Sequence, residues 1–283
     1  MSDQKTIVIT GATGQQGGAV LRHLEGQGFR LRAMTRKPDG AAARALAARG
    51  IEVVQGDLDD AASIERALAG AWGVFAVQNT WEAGVEREEE QGKRIATVAR
   101  KAGIQHYVYT SVGSAHRQTG IPHFENKWRV EETVRAAGFP SHVIIRPVFF
   151  MENLISPWFL NGDALVTAMP PTTPLQMIAV EDIGRFGARA FTEAGRLNGR
   201  EIDLAGDAAT MQDVARVLSG ALGRTITFTE IPIAEVRKNS EDFALMLEWF
   251  VRVGYDADVP GLVKEFGFTP LTLARWAATL PKS

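Results

Sequence analysis

A chain of 283 residues, 45% hydrophobic and 23% charged, can bury a sizeable core, which excludes bulk disorder. Its 31 lysines and arginines against 33 aspartates and glutamates leave a net charge of −2, so no overall basic field draws it to nucleic acid. The absence of cysteine excludes disulfides, thiolate catalysis and cysteine-ligated metals, and fits a cytoplasmic protein. The opening MSDQK runs straight into TIVIT without the apolar core of a signal peptide. The greasiest stretch, 143–155, is broken by Arg146, Pro147 and Glu152, so no membrane span is expected. Glycine is in mild excess, with 28 residues spread without a Gly-X-Y period.

In chain order, short continuous apolar runs predict strands at 6–10, 29–34, 51–54, 73–77, 106–110 and 142–145. Helical patterns separate them at 17–25, 41–49, 61–68, 86–101 and 124–137. Strands without a polar face, alternating with helices, imply an α/β fold whose parallel sheet is covered on both sides, doubly wound. After Arg146 the rhythm changes. A proline-bearing stretch is followed by a helix at 180–191, a strand at 201–204, a helix at 211–222, a strand at 226–231 and helices at 234–253 and 271–279. The expected division is a large domain at 1–153 and 175–206 and a smaller α+β lobe at 154–174 and 207–283.

The strongest local signal is Thr10-Gly11-Ala12-Thr13-Gly14-Gln15-Gln16-Gly17-Gly18, between the first strand and the first helix. In this G-x-x-G-x-x-G spacing Gly11 permits a tight turn, Gly14 lets backbone approach a pyrophosphate, and Gly17 permits close helix–strand packing. The helix N-terminus offers N–H groups to the anion. The large domain therefore reads as a Rossmann-type NAD(P)-binding domain. The second strand ends Ala33-Met34-Thr35-Arg36-Lys37, with no acid at its tip to accept from a ribose 2′-OH. Two cations there suit a 2′-phosphate, Arg36 through its planar fork, so NADP(H) is the expected cofactor and NAD(H) the alternative. In Gly56-Asp57-Leu58-Asp59-Asp60, Asp57 is placed to accept from the adenine amino group and Leu58 to cover the ring. Asp59 or Asp60 caps the helix that follows.

Short-chain dehydrogenases reduce carbonyls with a Tyr-x-x-x-Lys pair on one helix face, the tyrosine giving a proton and the lysine lowering its pKa. The matching region here reads His123-Phe124-Glu125-Asn126-Lys127, so Lys127 is kept and His123 fills the tyrosine slot. Lys127 is expected to hold the nicotinamide ribose; His123 serves as proton donor, as ligand contact or as a helix-entry residue. A lysine and a helix N-terminus beside it would favour its neutral form. Ser111, just past a strand, is where such an enzyme would keep its substrate-orienting hydroxyl. His23 and His106 read as structural, and His116 and His142 lack partners at metal-ligand spacing, so no metal site is expected. Phe149, Phe150, Trp158, Phe159, Phe243, Leu247, Trp249 and Phe250 serve either as core packing or as an apolar pocket.

The segments GATGQQGG, MTRKP, VVQGDLDD, VQNTWE, HFENKWRVEE and RPVFFMEN, in this order, resemble the NmrA-like branch of the atypical short-chain dehydrogenases. The resemblance runs along nearly the whole chain, to Thr269-Pro270-Leu271-Thr272 and Trp276, and is nearest to NADP(H)-binding members described as redox sensors. It implies that Gly11, Ala12, Thr13, Gly14, Gln15 and Gln16 wrap the pyrophosphate, with Arg36 and Lys37 at the 2′-phosphate. Asp57 and Leu58 would flank adenine, and Gln78, Asn79 and Thr80 would line the ribose and nicotinamide side. Lys127 would touch the ribose, and Phe150, Met151, Glu152 and Asn153 would close over the nicotinamide. Glu90 stands where some sensor-type members carry lysine.

Family members include reductases of quinones, dyes and phenylpropanoids as well as regulators without known turnover, so two functions follow. One is an NADPH-dependent reductase of an apolar or aromatic quinone, enone or related small molecule, with His123, Ser111 or water supplying the proton. The other is a non-catalytic NADP(H) sensor acting through a regulatory protein partner. A homodimer is compatible with either, and a sugar-nucleotide epimerase, which would retain the tyrosine, ranks last.

Overall fold

The structure, a computed structural model, describes residues 4–281. In chain order its elements begin with β1 (Thr6–Ile9), α1 (Gln15–Leu24), β2 (Arg30–Thr35), α2 (Ala41–Ala48), β3 (Glu52–Gln55) and α3 (Ala61–Leu68). Then come β4 (Gly73–Ala76), α4 (Thr80–Ala83), α5 (Val85–Lys101), β5 (His106–Thr110), α6 (Pro122–Ala136) and β6 (Ser141–Pro147). The remainder holds β7 (Phe149–Phe150), β8 (Leu160–Asn161), β9 (Ala164–Thr167), β10 (Pro174–Ile178), α7 (Val180–Thr192), α8 (Ala194–Leu197) and β11 (Arg200–Leu204). It ends with β12 (Asp207–Thr210), α9 (Met211–Leu222), β13 (Thr227–Glu230), α10 (Ile233–Asn239), α11 (Glu241–Arg252), α12 (Val259–Phe266) and α13 (Leu273–Ala277).

Two compact units divide the chain. The first takes the chain up to Ser111, Glu125–Arg146 and Ile183–Ile202; the second takes Val112–Phe124, Pro147–Asp182 and the chain from Asp203 onward. The crossing points at 111/112 and 124/125 fall within runs that carry no change of composition.

A seven-stranded sheet of order β11-β6-β5-β4-β1-β2-β3 organises the first unit, and every pairing from β3 through β6 is parallel. Strand order runs outward from β1 in both directions. This is a Rossmann-type doubly wound sheet, with its switch point between β1 and β4. The strands lack a polar face because both sides are covered: all four residues of β1 are buried. Val8, Met34, Val74, Tyr107 and Tyr109 pack on one side against Ile64 and Leu68 of α3, Ile95 of α5, and Val130 and Val134 of α6. Elsewhere in the unit α7 lies so close to α1 that a Cβ on Gly184 would stand 2.5 Å from the Ala19 Cβ. Only glycine fits there.

His106 is buried in this sheet, stacked on Trp72 at 5.3 Å between ring centroids. The Ala190 carbonyl can only accept, so Nε2 donates to it at 2.9 Å, and Nδ1 accepts from Ser141 Oγ at 2.8 Å. Burial pushes the imidazole down to about 4, against the Ala190 bond, which raises it. Between that value and the unfolded value of ~6.5 the unfolded chain binds the extra proton, so stability falls as pH drops through this window. The expected loss is about 3 kcal/mol by pH ~4. Urea unfolding as a function of pH checks it: His106→Gln should flatten the slope, and an unchanged slope would refute the assignment.

The second unit holds two three-stranded sheets, β12-β10-β7 and β13-β9-β8. Its core gathers Phe149, Met151, Phe159, Met177, Leu218, Leu247, Trp249, Phe250 and Trp276. The helix expected over 234–253 is two helices, because Ser240 adopts φ −159° and its Oγ accepts from Phe243 N at 3.1 Å, starting α11 afresh. The proline-bearing stretch after Arg146 contains four short strands, β7 to β10. Helix α12, not among the expected elements, begins at Val259; Pro260 sits in its first turn and Asp258 caps it, accepting from Gly261 N at 2.9 Å. Among the described residues no helix is long and apolar enough to cross a membrane.

Candidate functional site

The glycine turn sits at the carboxyl end of β1, on the switch point. Gly11 has φ +56°, and Gly14 N donates to the Gly11 carbonyl at 2.9 Å, closing the turn. A Cβ on Gly17 would lie 2.4 Å from the Gly11 oxygen and 2.5 Å from the Thr10 oxygen. Helix α1 therefore starts in direct contact with the turn's backbone. Its N-cap, Gly14, gives no side-chain hydrogen bond, and its first turn holds no acid. Helix α3, by contrast, is capped by Asp60, which accepts from Ala62 N at 2.9 Å. The N–H groups at the start of α1 thus have no capping side chain from Gly14, an arrangement that can receive an anion. Thr10 joins this turn to the neighbouring loop: its Oγ1 donates to the Val77 carbonyl at 3.0 Å and accepts from Val77 N at 2.8 Å. Ala12 is buried, Thr13 and Gln15 are exposed, and Gln16 Oε1 accepts from Thr110 Oγ1 at 2.7 Å.

Arg36 and Lys37 stand exposed past β2. Arg36 is paired with Glu82, and that hydrogen bond raises its pKa more than burial lowers it. Asp57 Oδ1 accepts from Asp59 N at 3.0 Å, while Leu58 packs on the core and its carbonyl accepts from Arg94 at 2.7 Å. Asp59 accepts from Arg87 and Gln91, so Asp60 is the cap. Glu90 is exposed and near Arg94 at 3.8 Å.

Past β4, Asn79 caps α4 by accepting from Trp81 N at 3.1 Å, and Thr80 donates to Glu88. Gln78 is different. It is buried, and among the described residues neither its amide oxygen nor its nitrogen has a partner. Ser111, beyond the adjacent strand β5, is also buried with an unpartnered hydroxyl. Two orphaned side chains past neighbouring strand ends, beside an uncapped helix start, are what a polar ligand lying across the switch point would complete.

Helix α6 carries both residues of the expected proton-relay position, and each is engaged by a carboxylate. In the second unit His123 Nδ1 donates to Asp242 Oδ2 at 2.5 Å, and Asp242 Oδ1 accepts from the His123 backbone N at 3.0 Å. In the first unit Lys127 Nζ donates to Glu88 Oε1 at 2.5 Å. Glu88 is 2% exposed and Lys127 12%. Burial alone would raise the Glu88 pKa. The Lys127 charge and the bonds from Lys127, Thr80 and Asn126 outweigh it and hold the carboxyl below the usual range.

Phe150 pairs with Ile178 in the β7–β10 ladder, and Met151 lies in the core of the second unit. Glu152 accepts from Val180 N at the start of α7 and from Trp276 Nε1 at 3.0 Å; burial raises its pKa against those bonds. The Asn153 carbonyl accepts from Ser156. The aromatic residues of this unit pack on one another: Phe149 meets Phe159 edge-on at 5.2 Å, and Phe124 meets Trp249 at 5.9 Å. Trp158 alone among them is largely exposed, at 74%.

Glu88 and Asp242 were not singled out by sequence. Glu88 carried a legible signal: it shares the buried stripe of α5 with Gly92, Ile95, Ala96 and Ala99, a carboxylate on an apolar face. Asp242 carried none, since it reads as an acid in the first turn of α11.

Sheet order, switch-point turn and helix start define a dinucleotide-binding type of fold. The chain belongs to the NmrA-like family, whose model matches residues 3–269. It is 31% identical over 235 residues to a (4-alkanoyl-5-oxo-2,5-dihydrofuran-3-yl)methyl phosphate reductase of Streptomyces griseus subsp. griseus, covering 82% of this chain and 79% of the relative. Among solved structures it is similar to the NADPH-dependent quinone oxidoreductase QOR2 of Escherichia coli complexed with NADPH, with 25% identity, a TM-score of 0.81, and 96% and 98% of the two chains covered. The fold is shared as well by NmrA, a negative transcriptional regulator in complex with NAD, at 23% identity, a TM-score of 0.80, and 98% and 95% coverage.

Proposed function

We propose that the protein is an NADPH-dependent reductase of an apolar or aromatic quinone, enone or related acceptor. The observation that carries this reading is the uncapped start of α1 above the Gly11–Gly17 turn, beside the orphaned amide of Gln78. The residues present fit a dinucleotide: backbone N–H groups for the pyrophosphate, Arg36 and Lys37 for a 2′-phosphate, Lys127 for ribose hydroxyls. A bound dihydronicotinamide supplies a hydride. Ser111 offers an unpaired hydroxyl to orient an acceptor oxygen. Asp242, acceptor-only when ionised, fixes the His123 tautomer with the proton on Nδ1. With no tyrosine in the relay position, a conjugated acceptor, which spreads the incoming charge, suits the site better than a simple ketone. The reductase relatives named above support the same class.

The test is oxidation of NADPH, followed by its absorbance, against a panel of quinones and enones, with dissociation constants for NADPH and NADH. Arg36→Ala should weaken NADPH by about 10- to 100-fold, the range of a charge-assisted hydrogen bond, and leave NADH nearly unchanged. An equal loss for both would refute the role of Arg36. A second reading, a non-catalytic NADP(H) sensor, is favoured by the missing tyrosine and by the regulator that shares the fold. Tight NADPH binding with no turnover on any acceptor would select it.

A further inference from the structure

Helix α5 offers its buried stripe to the core of the first unit, a pattern that calls for an apolar side chain at position 88. The chain instead places a carboxylate there, 2% exposed. A buried ion pair is a poor source of stability, since desolvation of both charges offsets their attraction. The pattern of partners around Glu88 suggests another purpose. Oε2 accepts from Thr80 and from Asn126 Nδ2, the latter at 2.9 Å, and Oε1 accepts from Lys127 Nζ. Asn126 is itself anchored, donating to the Val85 carbonyl at 2.7 Å. On the Glu88 side every group is satisfied.

On the other side the groups are not. An ammonium has three donors, and among the described residues Lys127 spends one, on Glu88. Asn126 Oδ1 is buried without a partner, as are both amide atoms of Gln78. Gln78 borders the same helix: a Cβ on Gly92, one turn beyond Glu88, would stand 3.3 Å from Gln78 Oε1. Among the described residues the cluster is thus satisfied at the Glu88 carboxylate and unsatisfied at Asn126 Oδ1 and at the Gln78 amide.

We propose that Glu88 is a positioning residue of the dinucleotide site: with Thr80 and Asn126 it fixes Lys127 as an ammonium whose remaining donors meet the hydroxyls of the nicotinamide ribose. That Lys127 meets this ribose belongs to the function proposed above, on which the inference rests; the role of Glu88 is what is added. Without Glu88, Lys127 would keep its 12% exposure but lose the carboxylate that holds its ammonium in place, and its long side chain would be free to swing toward water.

The test compares two probes on the full chain, NADPH and adenosine 2′,5′-bisphosphate, the half-molecule that lacks the nicotinamide ribose. Glu88→Gln should weaken NADPH by about tenfold or more and change the half-molecule by less than about twofold. Lys127→Met should do the same. The double variant Glu88→Gln/Lys127→Met, which buries no unpaired charge, should bind NADPH no more weakly than either single variant, because the two residues act as one unit. Equal losses for both probes would mean that Glu88 serves only the fold, and additive losses in the double variant would uncouple it from Lys127. Either result overturns the inference. Wild-type affinity for NADPH retained in Glu88→Gln overturns it while leaving the reductase reading intact; a wild-type chain that binds neither probe overturns that reading as well.

Discussion

Replacing Glu131 by alanine is expected to destabilise the protein by about 3–5 kcal/mol, the cost of stranding a buried charge. Glu131 is fully buried on α6. Its Oε1 accepts from Arg146 Nε at 2.8 Å, and its Oε2 from Arg146 Nη2 and Arg135 Nη2, both at 2.6 Å. Arg146 is itself 5% exposed, so it cannot turn to water when the carboxylate is gone. Glu201 also binds both arginines, but it would then face two guanidinium groups alone. Trp128 adds its ring face to Arg135, 4.3 Å away, which helps hold the fork but does not neutralise it. Urea unfolding midpoints measure the effect. A Glu131→Met/Arg146→Leu double variant should lose less than Glu131→Ala, since it leaves no unpaired buried charge. A loss below about 1 kcal/mol for the single variant would show that water reaches the pair, as it reaches exposed ones.

Gly17→Ala is expected to cost at least tenfold in NADPH affinity, ~1.4 kcal/mol or more, together with about 1–3 kcal/mol of stability. The added methyl would meet carbonyl oxygens of Gly11 and Thr10 at 2.4 and 2.5 Å, and neither is a side chain that can swing away. Either α1 lifts from β1 or the turn opens. Both outcomes move the N–H groups assigned above to the pyrophosphate. Gly220 supplies the control: it lies within α9, and a Cβ there meets nothing within 4 Å. Gly220→Ala should leave affinity unchanged and add about 0.8–1 kcal/mol of helix stability. Calorimetry with NADPH on the two variants decides the matter. Unchanged affinity in Gly17→Ala would place the pyrophosphate somewhere other than this turn.

The doubly wound sheet was legible because its signal is local and repeated: strands without a polar face, then helices with one. The phosphate turn was legible for a related reason, since glycine spacing between a strand and a helix reports a backbone shape directly. The pairings made by charged side chains were not. Arg146 read only as an interruption of an apolar stretch, yet it is the centre of a buried network whose other members come from α6 and β11. Glu88 lies on the buried stripe of α5 and Glu131 is buried on α6, but nothing in sequence order says that one meets Lys127 and the other Arg146. The second unit shows the same limit in its backbone. Its strands β7 to β10 are two to five residues long; β8 and β9 form a short hairpin, while β7, β9 and β10 also pair with segments distant in the chain, and neither leaves a run long enough to read among the prolines.

The close seat of α1 has one more consequence. Gly17 meets the turn's carbonyls, and Ala19, half a turn on, meets Gly184 of α7. A helix wedged at its tip and along its flank has no travel along its axis. Under the function proposed above, the donors at its N-terminus would be set before a pyrophosphate arrives, and binding there would not spend free energy on ordering the backbone.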